Sequence, residues 1–331
     1  MEEYDIYGVG AALVDTEVEV ANSFLSDLKV KKGVMTLVDE HRQRELLDMF
    51  KSRGYILVRN CGGSVCNSLV AAARLGSRAF FSGKVANDSD GEFFVSDLRG
   101  AGVDFSSPDP ERGVTGKCLV MVTDDAERTM NTFLGVSEAL SVREMDYMAL
   151  SVSKWFYVEG YLVTDAMRTQ AVIDAVNFAR LNGVKIALSL SDPFVASLFG
   201  DPLRKIIGEG VDLIFCNKDE AKAFTSSSSM DKAVKKLKNY ASTFAITDGA
   251  DGALIFDGDQ LSRIPGSKVL AIDTNGAGDM FAGAFLNRII CGSTHIEAAK
   301  VANSCASRVV AKFGPRLDYN DFNEIKVEFG F

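Results

Sequence analysis

Apolar and polar positions change period several times along the chain. Asp5 to Val14 is a run of small and β-branched residues stopped by Asp15, and it predicts a buried first strand. Thr16 to Val20 alternates with charge, which predicts a half-exposed strand. Asp39 to Arg53 is a charged amphipathic helix by its spacing, Tyr55 to Arg59 a short strand, and Thr115 to Thr123 a further alternating run. These three strands are expected to form a small sheet with one polar and one apolar face, which no helix covers. Ser68 to Leu75 is helical and closed by Gly76; Phe80 to Val85 reads as a strand and Phe93 to Leu98 as a helix. Beyond these come strands at Lys154–Val163, Ile186–Leu190, Val211–Cys216 and Phe244–Thr247, with a helix over 168–182 stopped by Gly183. Met280 to Ile290 is apolar except for Asn287 and Arg288, so that helix is expected to be buried, and Ala298 to Lys312 is a helix of small residues. Strand and helix alternating over short connections predict a three-layer α/β/α fold. Its central sheet is mostly parallel, and the small sheet is an addition to it. Ligands of such sheets gather at the carboxyl ends of strands, where Asp15, Asn217 and Asp279 are expected to fall.

Composition narrows the function. The 331 residues and 47 % apolar content allow one large α/β domain over 1–331, with the small sheet built from insertions near 16–60 and 112–134. The net charge of −9 argues against a nucleic-acid or anionic membrane surface. No stretch approaches a membrane span and the start lacks a leader pattern, so a cytoplasmic protein is expected. The six cysteines show no CxxC spacing and are expected to be buried or idle thiols. His41 and His295 are the two histidines and read as surface residues, which leaves no His-centred triad or zinc site. Gly8-Val9-Gly10 is not completed to a dinucleotide fingerprint, and Gly113 to Cys118 lacks the spacing and the Ser/Thr of a P-loop.

The chemistry concentrates at Asp273-Thr274-Asn275-Gly276-Ala277-Gly278-Asp279. Asp273 and Thr274 are natural helix caps. A glycine turn feeding a helix presents unpaired N–H groups and the positive dipole end, which together favour an anion. Asp279 is placed to accept a proton from an attacking hydroxyl. Taken alone, the pattern is equally a cap with a tight turn. Gly62-Gly63-Ser64 with Asn67 is a second glycine turn before a helix, able to approach a ligand closely. Asn217 and Glu220 have oxygen ligands at a spacing that can hold the waters of Mg²⁺, and they also suit an ordinary helix cap.

The string DTNGAGD resembles the C-terminal motif of the ribokinase-like (PfkB) family of carbohydrate and nucleoside kinases. GGSxxN followed by AAARLG resembles that family's N-terminal motif, NxxE at Asn217 its metal motif, and TxGxxG from Thr247 to Gly252 its ATP phosphate loop. Arg128-Thr129, Glu159-Gly160-Tyr161-Leu162 and Leu188 to Phe194 resemble the adenosine-kinase-like branch. The resemblance implies ATP and Mg²⁺, with Asp279 as the base and Gly276, Ala277 and Gly278 as the anion hole. Arg128 would face the phosphates, as an arginine finger does. Asp15, Gly62, Gly63, Ser64 and Asn67 would hold substrate hydroxyls, while Met130, Leu134 and Tyr161 would form a base-sized apolar pocket. Asn217, Thr247, Gly249, Gly252 and Asn303 would meet the nucleotide, Asn217 and Glu220 the Mg²⁺ through water, and Asp273 a K⁺ ion. The implied reaction is phosphorylation of a primary hydroxyl, with adenosine as acceptor. A sugar kinase for ribose, fructose or a similar sugar, and a ligand sensor without catalysis, are the alternatives. Ala11 stands where adenosine kinases commonly carry Asn. A monomer or a homodimer paired through sheet edges is expected.

Overall fold

The computed structural model describes residues 3–105 and 112–331. In chain order its strands are β1 (Tyr4–Val9), β2 (Leu13–Glu19), β3 (Met35–Leu37), β4 (Val58–Gly62), β5 (Ala79–Ser82), β6 (Val103–Phe105) and β7 (Gly116–Val122). There follow β8 (Arg128–Phe133), β9 (Ser153–Val158), β10 (Lys185–Ser189), β11 (Val211–Asn217), β12 (Ala241–Thr247), β13 (Ala253–Phe256) and β14 (Leu261–Ile264). The large sheet has nine strands in the order β14-β13-β12-β11-β10-β9-β1-β5-β6. It is parallel from β6 across to β12; β13 alone runs the other way, antiparallel to both β12 and β14.

Its two faces are built by the period of two. Trp155 and Tyr157 of β9, with Leu213 and Phe215 of β11, pack against the helices Ser64–Arg74, Ala277–Ile290 and His295–Val310. Phe156 and Val158, with Ile214 and Cys216, point the other way onto Ala166–Leu181 and Lys218–Phe224. A strand buried on both sides has to be apolar at successive positions, and these are. The expected three-layer arrangement is therefore present.

The first strand differs from expectation. Asp5 to Val14 is broken at Gly10–Ala12, and Leu13 and Val14 already belong to β2, in the smaller sheet. Asp15 consequently does not end a strand of the central sheet. It lies inside β2, in register with Asn60 and Cys118. The smaller sheet has five strands, β3-β8-β7-β2-β4. The expectation that no helix covers it is also corrected. Phe24, Leu25 and Leu28, with Leu46 and Phe50 of the helix Glu40–Ser52, pack on Leu119 and Met121 of β7, while Cys118 and Val120 are buried on the opposite face. Cys118 to Val122 is apolar at every position, the mark of a strand covered on both sides.

His295 is half-buried with its ring 5.9 Å from that of Phe285, and burial lowers its pKa, so it is not the surface residue expected. His41 is exposed, and of the cysteines only Cys291 is. No helix among the described residues is long and apolar enough to cross a membrane.

Close packing of two helices positions the chemistry. A Cβ on Gly283 would overlap the carbonyl oxygen of Ser68, so glycine lets the helix Ala277–Ile290 lie directly on Ser64–Arg74. Gly283→Ala is expected to cost about 1–3 kcal/mol, the range for overpacking, and to lower turnover by moving Asp279 from its partners. Urea unfolding and turnover of the same preparation measure both. Unchanged stability would mean that the helices separate freely.

Candidate active site

The helix that carries Asp279 starts at Ala277, and its N-cap is Gly276, not Asp273 or Thr274 as expected. Gly276 is left-handed at φ 74°, and a Cβ there would overlap the carbonyl of Pro315, so two constraints select glycine. Asp273 does a different job. It is fully buried, and its carboxylate accepts from Asn275 N at 2.8 Å and Gly314 N at 3.0 Å, which shapes the turn before the helix. The N–H groups of Gly276, Ala277, Gly278 and Asp279 find no acceptor among the described residues. Gly278 is exposed, and a Cβ on it would meet nothing within 4 Å. Free amides, open space and the dipole end together suit an anion.

Asp279 is held from the second glycine turn. Ser64 Oγ donates to its Oδ1 at 2.6 Å and Asn67 Nδ2 to its Oδ2 at 3.0 Å. Burial raises its pKa above the ordinary 3.8, against the lowering effects of Ser64, Asn67 and Arg128. The helix bearing Ser64 and Asn67 is capped by Gly63 at φ 93°. Across the site lies Asp15, buried, with a carboxylate that accepts no hydrogen bond from the described residues. Burial and the neighbouring Glu17 push its pKa well up. A Cβ on Gly62 would overlap this carboxylate, so that glycine makes room for it.

Asp15, Gly63, Ser64, Asn67, Arg128, Met130, Leu134, Tyr161 and Asp279 line one pocket between the two sheets, together with Ala11, Cys118 and Asn275. Arg128 opens β8, and its Nη1 donates to Thr274 O at 3.1 Å and Asn275 Oδ1 at 3.4 Å. Asn275 Nδ2 in turn donates to Glu17 Oε1 at 2.8 Å, which ties β2 to the Gly276 turn. Burial raises Glu17 to about 7.

The residues expected to meet the nucleotide lie elsewhere, at the carboxyl ends of β11 and β12. Asn217 is in register with Thr247. Asn217 and Glu220 form a reciprocal capping box, with Asn217 Nδ2 donating to Glu220 Oε1 at 2.6 Å, so the ordinary cap is realised. Glu220 is buried and raised to about 7. Gly249 and Gly252 both have positive φ. The negative charge of Asp248 beside them is balanced by Lys218 at 2.7 Å and Arg263 at 3.5 Å. Asn303 donates to Pro265 O at 3.1 Å and Ile264 O at 3.3 Å, and so pins the end of β14.

Two important residues were not found by sequence reasoning. Glu159 is buried, accepts from Ala11 N at 3.2 Å and Val65 N at 3.1 Å, and is raised to about 7 by burial. It joins the β1–β2 link to the GGSxxN helix, and the string Glu159-Gly160-Tyr161-Leu162 was its only signal. Arg316 donates from Nε to Asn67 Oδ1 at 2.7 Å and from Nη1 to Asp97 at 2.5 Å. This fixes the amide so that its nitrogen faces Asp279. Arg316→Met is expected to lose about 1.5–3 kcal/mol, the range for hydrogen bonds to charged groups. It should also lower kcat with little change in KM for ATP. Lost stability with unchanged kcat would make Arg316 a residue of the fold alone.

A carboxylate beside free helix-start amides, facing a pocket under a second sheet, is an arrangement that suits phosphoryl transfer to an alcohol. The family model described as pfkB family carbohydrate kinase matches residues 50–321, and the chain belongs to that family. Adenosine kinase 2 of Arabidopsis thaliana is 24 % identical over 93 % of this chain and 94 % of its own length. The 5-dehydro-2-deoxygluconokinase of Halalkalibacterium halodurans is 27 % identical over 76 % and 80 %. Among solved structures, adenosine kinase from Sinorhizobium meliloti superposes with a TM-score of 0.93 at 31 % identity, covering 99 % of this chain and 100 % of its own. A Rhizobium etli CFN 42 protein described as a probable sugar kinase gives 0.93 at 28 %, covering 100 % and 99 %. The chain is thus a nucleoside or sugar kinase, a family activity that uses ATP.

Proposed function

We propose that the chain transfers the γ-phosphoryl group of ATP to the 5′-hydroxyl of a nucleoside, with adenosine as the acceptor. The observation that carries the reading is the Asp279 carboxylate, fixed by Ser64 and Asn67 at a pocket that Met130, Leu134 and Tyr161 also line. Apolar side chains suit the faces of a base, and the unpartnered Asp15 suits the two ribose hydroxyls. Ala11 replaces the usual Asn, but its N–H is engaged by Glu159 and its side chain only lines the pocket.

In the reaction, Asp279 orients the 5′-hydroxyl and takes its proton as O5′ bonds to phosphorus and the bond to the β-phosphate oxygen breaks. The Gly276–Gly278 amides and Arg128 meet the charge on the transferred group. In a loose transition state the proton moves late, so positioning supplies most of the rate. The smaller sheet, as a lid over the pocket, keeps water from the phosphoryl group. Asn217 and Glu220 supply hard oxygen groups at the sheet's carboxyl edge and fit Mg²⁺ held through its waters, beside the Thr247–Gly252 loop for the phosphates. When bound, Mg²⁺ neutralises phosphate charge. The buried Asp273 carboxylate fits a K⁺ site beside the Gly276 turn.

The sugar-kinase reading is favoured by the resemblance to the gluconokinase. ADP release from Mg-ATP, with adenosine, inosine, guanosine, ribose and fructose tested with and without K⁺, separates the two. Strong turnover on adenosine supports the proposal. Turnover confined to a free sugar rejects it.

A further inference from the structure

The smaller sheet meets the Gly276 turn through a carboxylate that the transfer itself does not use. Glu17 is fully buried and forms no ion pair among the described residues. It stands two residues beyond Asp15 on β2, so the two side chains leave the strand on the same side. Glu17 is in register with Val120 of β7, which belongs to the face opposite the helix Glu40–Ser52, where Phe313 packs. A buried charge beside apolar side chains is costly unless it is hydrogen-bonded. Both oxygens of Glu17 meet amides: Asn275 Nδ2 donates to Oε1 at 2.8 Å and Asn60 Nδ2 to Oε2 at 3.1 Å.

The bond to Glu17 decides which way the Asn275 amide faces. With its nitrogen on Glu17, its oxygen is turned to Arg128, which donates from Nη1 to Asn275 Oδ1 at 3.4 Å and to Thr274 O at 3.1 Å. A carboxylate accepts and a guanidinium donates. The reversed amide would set oxygen against carboxylate and N–H against guanidinium, two repulsive contacts. Both acceptors of Arg128 Nη1 therefore lie on the residue that Glu17 holds or on the one before it. Thr274 Oγ1 also donates to Ala126 O at 3.1 Å, between β7 and β8, so three parts of the smaller sheet converge on Thr274 and Asn275.

We infer that Glu17 is a positioning residue for phosphoryl transfer: through the amide of Asn275 it holds the Arg128 guanidinium at the Gly276 turn. Without Glu17 the amide is free to rotate, and a rotated amide turns its N–H groups on Arg128 and displaces it. The inference rests on the phosphate-facing role of Arg128 proposed above, and it holds for a nucleoside or a sugar acceptor alike.

The test is a double-mutant cycle with Glu17→Met, Arg128→Ala and the two combined, with Glu17→Gln beside them. Each is assayed with Mg-ATP and the acceptor that the wild type turns over, and each is melted. Methionine is unbranched and suits the apolar face. Glu17→Met should lower kcat by roughly 10- to 100-fold, the effect of one hydrogen bond to a charged group. KM for acceptor and for ATP should change by less than about 3-fold, since the contact serves the transition state. Glu17→Gln keeps an oxygen for Asn275 and should fall between Glu17→Met and the wild type. In the Arg128→Ala background, Glu17→Met should cost less than about 3-fold more, because the two residues act as one unit. A loss that is fully additive to that of Arg128→Ala, or an unchanged kcat in Glu17→Met, would overturn the positioning role while leaving Arg128 its own. Unchanged kinetics in Arg128→Ala would remove the underlying reading and the inference with it. If Glu17→Met does not fold, Glu17→Gln and Asn275→Ala enter the same cycle and decide by the same criterion.

Discussion

Asp279→Asn is expected to lower turnover by about 10²–10⁴-fold, the range for loss of a positioned general base, while ATP binding changes little. The amide keeps the shape of the carboxylate and an oxygen for Ser64 or Asn67, but it cannot take the proton of an attacking hydroxyl. The helix start is made by Gly276 and its backbone, so the anion site survives the change. Isothermal titration of ATP with turnover on the same sample checks both halves. Near-normal turnover would reject Asp279 as the base. The wild type also carries a pH signature. Burial raises the Asp279 pKa, so the ionised form needed for proton acceptance is lost as pH falls through a value above the ordinary 3.8. The acid limb of kcat/KM should therefore sit higher than that of an exposed aspartate and vanish in Asp279→Asn.

Arg128→Ala carries the second large effect, about 10³-fold or more in kcat if the guanidinium stabilises the transferring phosphoryl group as an arginine finger does. Its Nη1 already reaches Thr274 O and Asn275 Oδ1, two residues before the anion turn, from the first residue of β8. The side chain is thus anchored in the smaller sheet and reaches the turn before the helix Ala277–Ile290. Turnover should fall much more than nucleotide affinity. Unchanged kinetics would reduce Arg128 to a link between the smaller sheet and that turn.

Much of this arrangement was legible in the sequence. The strands β9 to β12 could be read because residues buried on alternate faces leave runs such as Trp155–Val158 that are apolar throughout. DTNGAGD and GGSxxN could be read because close backbone approach and a left-handed cap each demand glycine, and the structure brings the two turns together through Ser64, Asn67 and Asp279. Periodicity could not show where one sheet ends and the next begins. Leu13 and Val14 are as apolar as β1, and only the break at Gly10–Ala12 moves Asp15 into the smaller sheet. The covered face of that sheet was missed because Cys118–Val122 was read as alternating. Arg316 left no local signal. Its role arises from a partner far away in sequence, where a single arginine looks like a surface charge.

The central claim is transfer to a nucleoside, and the most direct measurement follows the phosphorus. Incubation with Mg-ATP labelled at the γ-position and adenosine should place the label in AMP, in amounts matching the ADP formed, and Asp279→Asn should not do so. Label recovered only as inorganic phosphate, or only on a free sugar offered in competition, would contradict the account.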